Sequence, residues 1–169
     1  AKERGESLKN AALSSGGLTQ SVNARPVPQV RVELPDFWAI PGTHNWLAVK
    51  GHLAYGLFTD NRWQRETHPE GALYSANALY HSKAGFLRIG NEKKFPLSFI
   101  GGLEMSAQFG GEAWNVGRRT DDPTFDNSHV NMGHGFKSFW HAFIPGGSDA
   151  FDGAYLNNEG NQLGSWHFQ

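Results

Sequence analysis

The feature that most constrains this chain is a strict period-two alternation sustained over runs longer than ordinary strands. From 97 to 109 one set of alternate positions reads Leu97, Phe99, Gly101, Leu103, Met105, Ala107 and Phe109, and the other reads Ser98, Ile100, Gly102, Glu104, Ser106 and Gln108. Successive side chains on a strand point to opposite faces, so this is a ribbon with one apolar and one mostly polar side. Residues 46–58 follow the same rule less cleanly: Leu47, Val49, Gly51, Leu53, Tyr55 and Leu57 lie on one side, with Lys50 and His52 on the other. Soluble strands peak near 5–6 residues, whereas these runs are 13 residues each. At ~3.3 Å per residue and a tilt near 45°, such a run spans about 28 Å, close to the ~25 Å apolar band of an outer-membrane barrel.

Weaker extended runs at 29–34, 78–90, 136–144 and 162–168 bring the expected strand count to about six. The turn Asn91-Glu92-Lys93-Lys94 is short, whereas the links over 59–77 and 110–135 are long, polar and rich in Gly, Asn, Asp and His. Alternation of short turns and long loops is the habit of barrels with one end in the periplasm and the other outside. Residues 1–24 read as a polar, Gly/Ser-rich arm, and 25–169 as an antiparallel, all-β barrel segment. The last run stops at Trp166-His167-Phe168-Gln169 with an open edge, which in lipid would cost several kcal/mol per unpaired backbone group. The segment is therefore expected to be part of a larger barrel, completed by its remainder or by another envelope protein.

Composition narrows function. The 169 residues carry fifteen Lys+Arg against sixteen Asp+Glu, leaving no basic field for nucleic acid. Cysteine is absent, which removes disulfides, thiolate zinc sites and Cys nucleophiles. The 21 glycines exceed the usual share of about 7%, and aromatic residues include six tryptophans. Planar rings and small residues suit both a barrel wall and a sugar-binding surface.

Several strings resemble, in order, the Wzi-type capsule assembly family in its Bacteroidetes form. They are Ala24-Arg25-Pro26-Val27-Pro28-Gln29, Leu34-Pro35-Asp36-Phe37-Trp38, Trp46-Leu47-Ala48-Val49-Lys50-Gly51-His52 and Phe58-Thr59-Asp60-Asn61-Arg62-Trp63. Downstream follow His81-Ser82-Lys83, Arg88-Ile89-Gly90-Asn91, Gly101-Gly102-Leu103-Glu104, Phe139-Trp140-His141, Ile144-Pro145-Gly146-Gly147-Ser148-Asp149 and Gly160-Asn161-Gln162-Leu163-Gly164-Ser165-Trp166. The resemblance implies a many-stranded outer-membrane β-barrel. Its implied role is lectin-like: binding capsular polysaccharide at the cell surface so that capsule assembles and stays attached, without catalysis.

Sugar recognition needs flat apolar faces together with convergent donors and acceptors. Loop residues Trp63 and Trp114, with Asn61, Arg62, Gln64, Asn115, Arg118 and Arg119 beside them, supply both. Lys50, His52, Glu104, Ser106 and Gln108 share the presumed lumen side, where mutual hydrogen bonding is the simpler reading and ligand contact the other. Trp46, Phe58, Phe95 and Phe109 read as interfacial girdles facing lipid. No cofactor is expected. His129, His134 and His141 match no zinc spacing, and the loop 148–159 has Ser148 and Ala150 where a calcium loop needs ligands. Glu104 is the one clear inward acid, too few for a glycosidase pair, and no nucleophile elbow occurs. Two rivals stay open: a small structural or adhesion barrel, which would need eight strands, and a soluble β-sandwich enzyme acting on polysaccharide through Glu104.

Overall fold

The computed structural model describes Thr19 and residues 26–115, 129–144 and 162–169. The expected arm, 1–24, lies outside the described residues apart from Thr19. The described chain is mostly β: two antiparallel sheets of five and three strands, neither closed into a barrel, with two short helices. It divides into two units.

The first unit holds the five-stranded sheet, ordered β1 (Gln29–Ala39), β2 (Leu47–Leu57), β4 (Leu79–Ile89), β5 (Phe99–Phe109) and β8 (Gln162–Phe168). The ends of β2, β4, β5 and β8 run on into the second unit. Four of the five strands are 11 residues long, matching the long alternating runs. β1 continues past the expected end at Leu34 and passes through Pro35 to Ala39. Proline is tolerated there because β1 is an edge strand, whose outer N–H groups have no ladder to feed. Ile100 and Gln169 exchange both backbone hydrogen bonds, N···O 2.8 and 2.9 Å, fixing the β5–β8 pairing.

Polarity across this sheet is inverted relative to a water-soluble one. Its buried side chains include His52, Ser82, Glu104, Ser165 and His167, with Ala48, Ala84 and Phe86. The opposite positions are open: Val30 is 79% exposed and Val32 74%, and Leu87, Ile89, Phe99, Trp166 and Phe168 are exposed too. Leu103 and Met105 are half-buried. Gly102 is required where it sits: a Cβ there would collide with the Phe86 ring and come within 2.5 Å of the Gly85 carbonyl. The vacancy lets Phe86 on β4 meet His167 on β8 edge to face, centroids 5.7 Å apart.

The second unit contains helix α1 (Trp63–Thr67), strands β3 (Tyr74–Ala76), β6 (Gly111–Trp114) and β7 (His129–Met132), and helix α2 (Phe136–Phe143). The long polar links at 59–77 and 110–135 thus hold ordered elements that the sequence reading left as loops. β6 lies centrally in the three-stranded sheet, with Tyr74 opposite Trp114 and Trp114 opposite His129. β6 is set off from β5 by Gly110 and Gly111, both at positive φ, and a Cβ on Gly111 would press on the Ala76 carbonyl.

The run 136–144, expected as a strand, forms helix α2. Phe136, Phe139, Trp140 and Phe143 recur at helical spacing, and the turn between them buries Ser138 and Ala142. Phe109, expected in a lipid-facing girdle, is fully buried, its ring edge-on to Phe139 of α2 at 5.2 Å. Trp46, Phe58 and Phe95 are exposed.

Candidate functional site

In the first unit the inward polar residues form two hydrogen-bonding or charged pairs. Alternation on β2 puts Lys50 and His52 on one side, His52 buried and Lys50 half-buried. The Nε2 of His52 lies 2.6 Å from the Ser82 hydroxyl on β4. Glu104 on β5 is 2% exposed, and its Oε2 stands 3.3 Å from Nε2 of His167 on β8. Neither of these two atoms has a hydrogen-bond partner, so the two groups approach each other off the line a hydrogen bond needs. Ser106 is half-buried on the same side of β5. Gln108, also half-buried, belongs to the second unit.

The loop candidates fall in the second unit. Asn61 and Arg62 both adopt left-handed φ, 53° and 62°, a bend held by Asp60. Asp60 Oδ1 accepts from the Arg62 N–H at 3.0 Å and Oδ2 from the Gln64 N–H at 3.3 Å, which starts helix α1. Sequence reasoning passed over Asp60, although an acid just ahead of a short polar helix is a capping signal. Asn61, Arg62 and Trp63 are all exposed, and Trp63 makes no ring contact among the described residues. An open indole with an amide and a guanidinium beside it can stack on a sugar ring and bond its hydroxyls.

Trp114 differs. It is half-buried in a cross-strand row, with Tyr74 on one side at 6.3 Å between centroids and His129 on the other at 3.9 Å, nearly parallel. His68 extends the row beyond Tyr74 at 5.9 Å. The Trp114 Nε1–H donates to Glu112 Oε2 at 3.2 Å, and the same oxygen lies 3.5 Å from His129 Nε2. Asn115 donates through Nδ2 to the Ala72 carbonyl at 2.9 Å. His129 therefore covers one face of the indole, and Trp114 is a structural ring more than an open platform. Tyr74, Glu112 and His129 were not singled out from the sequence as partners of Trp114. Only the spacing of Glu112 and Trp114 on one side of a strand hinted at it.

Arg118, Arg119 and the loop 148–159 lie outside the described residues. Among the described residues no group of three His, Cys, Asp or Glu side chains is placed to hold a metal ion, and no helix is long and apolar enough to cross a membrane, which leaves strands untouched. No family model, curated protein or solved structure matches the chain.

Proposed function

We propose that this chain is part of an outer-membrane β-barrel that holds capsular polysaccharide at the cell surface without altering it chemically, as the Wzi-type capsule assembly proteins that it resembles would do. The observation that carries this reading is the inverted polarity of the five-stranded sheet. Water drives apolar side chains inward, and an exposed row running over Val30, Val32, Leu87, Ile89 and Phe99 would be an aggregation hazard there. Against hydrocarbon the same row is at home, and a polar opposite face suits a lumen of water or glycan. Strands of 11 residues, tilted near 45°, span about 26 Å, which fits the apolar band. The edges at β1 and β8 would then be covered by further barrel strands, its own or those of another envelope protein.

Trp63 with Asn61 and Arg62 is the strongest sugar-contacting group in this reading, and Lys50, His52, Glu104 and Gln108 line the polar side. The test is to follow the full-length protein in its native cells. It is expected to sediment with outer membranes, to need detergent for extraction, to shift in a gel on heating, and to retain capsular polysaccharide of unchanged length. A detergent-free, monodisperse protein in the soluble fraction would overturn the membrane assignment. Shortening of the polysaccharide would overturn the non-catalytic one.

A further inference from the structure

We propose that the cleft formed by the β1–β2 and β4–β5 turns binds a small oxyanion, the carboxylate of an acidic sugar or inorganic phosphate, on Arg88 and Lys93. The cleft has a volume of ≈ 370 Å³, within the roughly 300–1,000 Å³ of small-molecule sites. Asn45, Arg88, Asn91, Glu92 and Lys93 are among the residues that line it, all in the first unit.

Two cations and one carboxylate reach this space, and the carboxylate is already engaged. Glu92 Oε1 accepts a hydrogen bond from the Ser98 hydroxyl at 2.9 Å. Arg88 is held differently. Its guanidinium sits over the Phe37 ring, 5.1 Å from the centroid, and among the described residues it has no carboxylate partner. A ring face steadies a guanidinium through the cation–π attraction yet takes none of its N–H donors. Those donors form a planar fork matched to a carboxylate or phosphate.

The walls are fixed before any ligand arrives. Asn91 is buried; its Nδ2 donates to the His44 carbonyl at 3.0 Å, and its Oδ1 accepts from the Lys93 N–H at 3.2 Å. The Gly90 N–H donates to the Trp46 carbonyl at 2.9 Å. These bonds tie one turn to the other, so little ordering remains to oppose binding. A neutral ligand would leave the Arg88 fork unfilled and a cation would be repelled, whereas an oxyanion satisfies it. The cleft is distinct from the Trp63 group and stands whether or not the chain binds capsule.

The full-length protein, in the detergent or buffer that keeps it monodisperse, is titrated calorimetrically with glucuronate, its uncharged methyl ester and inorganic phosphate. Saturable binding of at least one acid is expected, with the ester silent. Each lost charge-assisted contact should weaken it about tenfold, with Arg88→Met losing more than Lys93→Gln, and Arg88→Lys falling between wild type and Arg88→Met. Glucuronate binding assigns the site to acidic glycans, and phosphate binding alone assigns it to phosphate; both support an oxyanion site. Binding of neither acid, or equal binding of acid and ester, overturns it. Lys93 is exposed, so Lys93→Gln keeps the proposal falsifiable if Arg88→Met fails to fold.

Discussion

The Nε2 of His167 stands 3.3 Å from Oε2 of Glu104, both side chains buried on neighbouring strands and neither atom hydrogen-bonded. A buried polar pair suffers far more from loss of one partner than from replacement of both. His167→Ala, which strands the carboxylate, is expected to cost roughly 3 kcal/mol, whereas the double change Glu104→Met with His167→Leu should be close to neutral. Denaturant titration of the two variants beside wild type checks this. Equal losses in both would show that the contact is not what holds these side chains together.

Gly102 leaves room for the edge-to-face contact of Phe86 with His167. Gly102→Ala would drive a methyl group into the Phe86 ring and is expected to destabilise by about 1–3 kcal/mol, the usual cost of overpacking. Gly85, where a Cβ meets nothing within 4 Å, provides the control. Gly85→Ala should change the unfolding midpoint little.

Trp63 and Trp114 should separate binding from stability. Trp63 is 65% exposed and stacks on no described ring, so Trp63→Ala is expected to stay within about 0.5 kcal/mol of wild-type stability while weakening retention of capsular polysaccharide. Trp114 stacks on His129 at 3.9 Å, so Trp114→Ala should cost about 1–3 kcal/mol, from lost burial and lost stacking together. Unfolding and polysaccharide retention measured on the same two variants decide between these roles. Retention lost equally in both would make Trp114 a platform after all.

The exposed side of the five-stranded sheet gives a direct test of what covers it. Under the membrane reading, Val32→Lys places a charge among hydrocarbon and should cost about 2–4 kcal/mol near the bilayer midplane, less toward its surface. A lysine replacing an exposed valine in water would be nearly free. Folding in lipid vesicles at graded denaturant distinguishes these outcomes, and a neutral result would remove lipid from this face.

Period-two alternation made β2, β4, β5 and β8 legible, because the direction of a side chain on a strand depends only on its own backbone. The same local rule put Lys50 with His52, and Glu104 with Ser106, on the polar side. It failed for 136–143, where Phe136, Phe139, Trp140 and Phe143 recur at helical spacing and helix α2 forms. Partners remote in sequence were beyond it. That Glu104 meets His167, that His129 covers Trp114 and that Arg88 rests over Phe37 all depend on register and strand order, which no local pattern records. Local alternation is enough to say which side of each long ribbon is apolar. Which polar groups face one another was settled by the folded sheet, because such contacts form after distant strands have been brought together.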